Sequence, residues 1–326
     1  MRIALVGLGS IGRRHLANFR LLVPDADITV VRHRRTTEGP PEGADRVVFS
    51  RDEALARKPE LAVVCGPTST HAEDAAAFAA CGAHLFIEKP IAADTAGAQR
   101  VVSAVAASGV TCVVGYNFRF LPSLRALRAA AAGGSIGRVM SVRAEVGQYL
   151  PEWRPAADYR TTNSARAALG GDVTLELSHE IDYVRWLCGE VADVGAVLAR
   201  TSDLEIDVDD TAELLLRFRS GAVGSVHLDM TQRAPVRTCR IAGTDGTLTW
   251  DGLAGVVRRF VPGTGWDVLH DGDPERNQMY IDEAAHVLAC VRGEEEPLID
   301  AADGARTVAV AAAARRAAAA GIRTAP

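Results

Sequence analysis

The chain has 326 residues, of which 48 % are hydrophobic and 24 % charged, and a formal net charge of −5, an ordinary globular composition long enough for two domains that each bury a core. No basic stripe is present and the arginine run at Arg32 to Arg35 is too short to argue for nucleic acid, so that partner is set aside. No apolar run approaches the ~20 residues of a membrane helix, and the apolar start is broken by glycines, unlike a secretory signal. The six cysteines stand singly with no CxxC pair, which predicts reduced thiols, a cytoplasmic protein and no metal site.

Along the first part of the chain, apolar runs at Ile3 to Val6, Ile28 to Val31, Leu61 to Val64, Leu85 to Ile87 and Cys112 to Val114 alternate with alanine-rich segments such as Asp74 to Cys81 and Ala93 to Ser108. Continuous apolar strands between helices predict a parallel sheet covered on both faces, and right-handed crossovers make it doubly wound. The first strand runs into Gly7-Leu8-Gly9-Ser10-Ile11-Gly12, which opens a helix. In this motif the first glycine permits the turn, the second lets the backbone approach a pyrophosphate, and the third lets helix and strand pack closely. Gly7, Gly9, Ser10, Ile11 and Gly12 are therefore expected to hold a dinucleotide at the helix N-terminus.

The second strand ends in Val30-Val31-Arg32-His33-Arg34-Arg35. An NAD site usually has a carboxylate here for the ribose hydroxyls. Arg32 and Arg34 instead suit a 2′-phosphate, so NADP is expected ahead of NAD; solvated surface arginines are the other reading.

Only Lys58 and Lys89 are lysine in a chain that otherwise uses arginine for positive charge. Lysine can exchange a proton where arginine stays charged. Lys89 stands in Glu88-Lys89-Pro90, just after a strand and at the carboxyl edge where such sheets bind ligands. A plain ion pair with Glu88 is the alternative. After Gly115 the pattern changes: a helix over Pro122 to Ala132, an alternating run over Val139 to Val146, and a polar, aromatic loop from Gln148 to Ala165. A segment Gly170 to Tyr183 follows, in which Glu176, His179 and Asp182 are spaced by three and, if helical, share a face. A carboxylate beside an imidazole can orient the ring for proton transfer, or the face is simply solvated. Strands Ala212 to Arg219 and Ala222 to Met230 form a hairpin at Ser220-Gly221, and helices over Asn277 to Val291 and Ala305 to Ala319 close the chain.

These residues together resemble the Gfo/Idh/MocA oxidoreductase family: Gly7 to Gly12, Pro67-Thr68-Ser69-Thr70-His71, Glu88-Lys89-Pro90, Gly115 to Phe120, and the Gly-Gly to His-x-x-Asp segment stand in the family's order nearly end to end. The resemblance implies an α/β architecture: a doubly wound Rossmann dinucleotide-binding domain over 1–118, and a substrate-binding and oligomerisation domain with a large, open, mainly antiparallel sheet over 119–326. It implies hydride transfer between a nicotinamide and a secondary alcohol or ketone of a sugar, amino sugar, nucleotide sugar or cyclitol. Lys89 and His179 would be the catalytic pair. Pro67, Thr68, His71, Glu88, Trp153 and Arg154 would line the cofactor, and Arg119, Asp158, Tyr159, Arg160, Glu176 and Asp182 the substrate. Glu176 stands where relatives often carry an aspartate, and Asp172 where a third glycine is common. Two rivals are a bound-NAD enzyme that oxidises a sugar transiently to permit elimination or glycoside cleavage, and a non-catalytic cofactor-binding regulator. The exposed face of the alternating strands, with Leu215, predicts a homodimer or homotetramer built through the C-terminal sheet.

Overall fold

The computed structural model describes residues 1–32 and 39–321, so Arg34 lies outside the described residues. β1 (Arg2–Val6) enters α1 (Ser10–Leu22) through the glycine turn. There follow β2 (Asp27–Val31), β3 (Arg46–Val48), α2 (Arg51–Leu55), β4 (Leu61–Val64), α3 (Thr68–Ala80), β5 (His84–Glu88), α4 (Thr95–Ser108) and β6 (Cys112–Gly115). The strands pair in parallel in the order β3-β2-β1-β4-β5-β6. The order reverses between β1 and β4, so a crevice opens beyond their carboxyl ends, where Gly7 and Cys65 stand. Local signals set the helix limits: Asp94 accepts from Gly97 N at 2.7 Å to start α4, and Gly109, left-handed at φ 64°, ends it.

A 3₁₀ turn (Asn117–Phe120) opens the second unit. It continues with α5 (Pro122–Ala132), β7 (Val139–Gly147), α6 (Leu150–Trp153), α7 (Val173–Glu176), α8 (Ser178–Cys188), β8 (Val191–Ala199), β9 (Thr211–Phe218), β10 (Val223–Asp229), β11 (Val236–Gly243), β12 (Thr247–Asp251), β13 (Val256–Val261) and β14 (Gly265–Asp271). These eight strands form one sheet, β14-β13-β12-β11-β7-β10-β9-β8, antiparallel throughout except for the parallel pair β7–β10. Alternation sorts its faces. Ala212, Leu214, Leu216 and Phe218 are buried on the side covered by helices such as α5 and α8, while Glu213, Leu215 and Arg217 point out.

The chain then returns to the first unit. α9 (Gln278–Val291) lies on α1, where Asn277 Nδ2 donates to Asn18 Oδ1 at 3.0 Å and Ala284, Val287 and Leu288 share a core with Leu16 and Phe19. Val114 N donates to Ile299 O at 2.9 Å, and α10 (Ala301–Ala320) follows. The units are thus Met1–Tyr116 with Asn277–Val308, and Asn117–Arg276 with the chain from Ala309 on. A single cut near 118 does not describe this division, because α9 supplies part of the first unit's core. Among the described residues no helix is long and apolar enough to cross a membrane.

One residue on α9 carries a pH-dependent cost. Glu283 is fully buried, neither carboxyl oxygen has a hydrogen-bond partner among the described residues, and burial, then the charge of Glu88, holds its pKa well above the usual 4.5. It therefore folds in the protonated form, whose stabilisation is complete below the unfolded pKa and is lost as pH rises towards the folded one. Glu283→Gln is expected to match the native chain in stability near pH 4 and to exceed it increasingly at higher pH, by up to about 1.4 kcal/mol per pH unit. Thermal melts across pH check this; parallel curves would show that Glu283 does not titrate differently on unfolding.

Candidate active site

In the first unit the glycine turn is a cradle with no room for side chains where the fold closes. Gly7 has φ +93°, and a Cβ there would meet Gly66 Cα at 2.7 Å; one on Gly12 would lie 2.2 Å from Gly7 O. Among the described residues nothing lies within 4 Å of a Cβ built on Gly9, so that backbone is open to an approaching group. Among the described residues no side chain caps α1, and Ser10 is exposed at its start beside half-buried Ile11, so the first-turn N–H groups and the positive helix end can face an anion. These features fit a dinucleotide pyrophosphate. Arg32, at the end of β2, is half-buried and its N–H donates to Val48 O at 3.0 Å.

The turn after β5 is fixed from beneath. Glu88 Oε1 lies 2.5 Å from His15 Nε2, and Glu88 Oε2 accepts from Lys89 N at 3.0 Å. Burial acts to raise the Glu88 pKa, but His15, Lys89 and His71 outweigh it and the net shift is downward, so Glu88 is a carboxylate. The Lys89–Pro90 peptide is cis and Lys89 itself is half-buried. His71, 1 % exposed, places Nδ1 at 2.9 Å from Pro90 O and Nε2 at 3.0 Å from Gly66 O. It thereby ties the turns after β4 and β5 together, with Pro67 and buried Thr68 at the start of α3 between them. Both ring nitrogens thus face backbone carbonyls of the two turns. His15 was not singled out from sequence; it sits among Leu16 and Phe19 on the apolar face of α1, where a lone histidine gives little signal.

In the second unit the segment expected as one helix is two. Leu177, at φ −98° and ψ 27°, ends α7 and precedes α8, so Glu176 does not share one helical face with His179 and Asp182. Asp172 explains itself here: its side chain accepts from Thr174 N at 2.7 Å and Leu175 N at 3.3 Å, capping α7, and pairs with Arg315 at 3.2 Å. Glu176 reaches the preceding loop, one oxygen accepting from Asn163 Nδ2 and the other from Ser164 Oγ at 2.8 Å. Asp182 is bound by Arg119 through two parallel hydrogen bonds, Nε to Oδ2 at 2.9 Å and Nη2 to Oδ1 at 2.7 Å, with both residues below 5 % exposed. His179 stays half-buried, its ring stacked on Phe118 with centroids 4.4 Å apart and an interplanar angle of 18°.

The loop residues form a separate cluster. Arg160 donates through Nε to Asp158 at 2.8 Å and through Nη1 to Glu205 at 3.2 Å, and the Tyr159 hydroxyl accepts from Glu205 N at 3.2 Å. Trp153 Nε1 donates to Gln148 O at 2.9 Å, and Arg154 is exposed.

Residues 1–116 match an oxidoreductase family with an NAD-binding Rossmann fold, and residues 124–249 match the GFO/IDH/MocA C-terminal domain. The myo-inositol 2-dehydrogenase of Thermotoga maritima is 28 % identical over 97 % of this chain and 96 % of its own. The levoglucosan dehydrogenase of Pseudarthrobacter phenanthrenivorans is 27 % identical over 77 % of this chain and 73 % of its own. The WlbA dehydrogenase of Bordetella pertussis, solved with NADH and UDP-GlcNAcA, has a TM-score of 0.83 and 26 % identity, covering 100 % of this chain and 98 % of that one.

Proposed function

This chain belongs to the GFO/IDH/MocA oxidoreductase family, and on that premise we propose that it oxidises or reduces a secondary alcohol or ketone of a sugar, amino sugar, nucleotide sugar or cyclitol, using NADP in preference to NAD. The observation that carries the reading is the turn after β5. There a lysine, in an arginine-rich chain, stands half-buried at the carboxyl edge of the sheet, over a carboxylate fixed by His15. The glycine cradle opens at that same edge. The compounds named with these relatives, myo-inositol, levoglucosan and UDP-GlcNAcA, support a ring-hydroxyl substrate.

In this reading Gly7 to Gly12 hold the pyrophosphate of the dinucleotide, with Pro67, Thr68, Trp153 and Arg154 along it. Bound nicotinamide supplies the redox step, taking or giving a hydride at the carbinol carbon. Lys89 stabilises the developing alkoxide and His179 exchanges the hydroxyl proton. Asp158, Tyr159 and Arg160 serve substrate hydroxyls from an exposed loop, while Arg119, Asp182 and Glu176 shape the site through the bonds they already make. The test is a panel of inositols, hexoses, amino sugars and nucleotide sugars with each dinucleotide, read by the absorbance of reduced nicotinamide; no turnover on any member would overturn the proposal.

The cofactor preference rests on Arg32 and Arg34 and on the missing carboxylate at the end of β2. Replacing both with glutamine is expected to weaken NADP binding at least about tenfold and NAD binding little, since a charge-assisted contact is worth roughly 1.5–3 kcal/mol. Fluorescence titration of each reduced cofactor measures this, and equal losses would show that the arginines only face water.

The assembly proposed is a homodimer or homotetramer through the open sheet face. Leu215 and Val197 are 58 % and 65 % exposed there. Across the strands, adjacent Arg143 and Arg240 make one row that runs through Thr249 to Arg258, and Glu145, His227 and Glu213 make the next. A two-fold axis between two such faces brings arginine rows onto carboxylate rows and covers the apolar positions. Light scattering of a 34.5 kDa monomer at micromolar concentration would contradict it. The cytoplasmic setting is proposed from the six singly spaced cysteines of the sequence.

A further inference from the structure

Arg237 is a charged residue on the wrong face of its strand. Along β11 the alternation turns Cys239 and Ile241 inward, 1 % and 0 % exposed, and Arg237 shares their side while Arg240 points out. Two contacts account for its place. Its Nε donates to Glu180 Oε1 at 2.8 Å, and Glu180 is fully buried. Its guanidinium carbon lies 4.6 Å from the centre of the Phe118 ring, the ring on which His179 stacks. Glu180 follows His179 directly on α8, so the contacts close a circuit from His179 to Phe118 to Arg237 to Glu180 and back along the helix.

From this circuit we propose that Arg237 and Phe118 are positioning residues for His179: the aromatic ring fixes the plane of the imidazole, and Arg237 locks both the ring and the helix turn that carries the histidine. The inference deepens the acid–base role given to His179 above and rests on that reading for its catalytic meaning. A stacked ring removes torsional freedom that an imidazole otherwise keeps, and a cation seated on that ring is held by its quadrupole as well as by the carboxylate. Alignment of this kind matters because proton exchange requires the reacting atoms within hydrogen-bond reach.

Three carboxylates on the helices around His179 are engaged. On α8, Glu180 is bound to Arg237 and Asp182 to Arg119; on α7, Glu176 is held by Asn163 and Ser164; the buried Tyr183 hydroxyl is pushed up in pKa by burial, then by Glu180. Taking away Arg237 leaves the Glu180 carboxylate without its guanidinium beside His179, which favours the protonated imidazole.

The test is NMR of the full-length protein labelled at histidine Cε1, in which His179→Ala identifies one signal among eight histidines. Phe118→Leu is expected to move that signal downfield, out of the ring current. Arg237→Met is expected to raise its titration midpoint by about half a unit to one unit, whereas Arg237→Lys stays near the native value and Arg237→Met with Glu180→Gln reverses most of the rise. In turnover assays on the best compound of the panel, Phe118→Leu lowers kcat about tenfold with little change in KM, and loses that effect in a His179→Ala background. A His179 signal unmoved by Phe118→Leu would overturn the inference. So would a midpoint unmoved in Arg237→Met or, should that chain not fold, in Arg237→Gln. The NMR arms need no substrate, so near-normal turnover of His179→Ala would sink the catalytic reading separately.

Discussion

Lys89→Ala and His179→Ala are each expected to lower turnover by about 10² to 10⁴, the range for positioned acid–base groups, while the dinucleotide still binds. The two differ in what surrounds them. Lys89 sits on a turn whose backbone is fixed by Glu88, His15 and His71, so removing its side chain leaves the turn in place. His179 is half-buried and stacked on Phe118, so alanine there removes the imidazole together with that ring contact. Steady-state kinetics with a separate cofactor titration distinguish lost chemistry from lost binding. Near-normal kcat in both variants would end the assignment. The double variant should lose little more than the worse single one, because groups that act in one proton exchange are not additive.

Arg119→Met is expected to destabilise the fold by about 3–5 kcal/mol, the cost of leaving a buried carboxylate without its partner. Arg119 and Asp182 are 4 % and 1 % exposed and joined by two hydrogen bonds, with the Trp186 ring 5.6 Å from the guanidinium carbon. Asp182→Asn alone should be costly for the same reason. Arg119→Met together with Asp182→Leu should recover much of the loss, since a buried pair replaced as a unit by apolar residues is often close to neutral. Chemical denaturation of the three variants decides it. A pair that served mainly to grip substrate would instead show a raised KM at unchanged stability. The distinction matters for the loop as well: Glu176, bound to Asn163 and Ser164, is expected to act by holding that segment rather than through a free carboxylate.

Much of this was readable in the sequence because it is written locally. The runs at Ile3 to Val6 and Leu61 to Val64 are apolar on both faces, as buried parallel strands must be, and glycine spacing fixes the turn between β1 and α1. β3 escaped notice because three residues carry no periodicity. The break at Leu177 was hidden for a different reason: the apolar spacing of Val173 to Ile181 suits one helix, and only the cap from Asp172 and the turn at Leu177 divide it. What sequence could not give is pairing across distance. Glu88 with His15, Asp182 with Arg119 and α9 with α1 join residues far apart in the chain. Arg237 left one trace, a charge in phase with Cys239 and Ile241, and such inward charges on alternating strands merit attention when a site is sought.

The reaction itself is tested most directly by following the hydrogen. The panel compound that turns over, deuterated at its ring carbons, is incubated with oxidised cofactor and both products are examined by mass spectrometry. The account predicts one deuterium in the reduced nicotinamide released to solution, matched mole for mole by a ketone that has lost it. Deuterium that returns to a cleaved or dehydrated sugar while the cofactor stays bound, or a bound cofactor that never changes redox state, would contradict it.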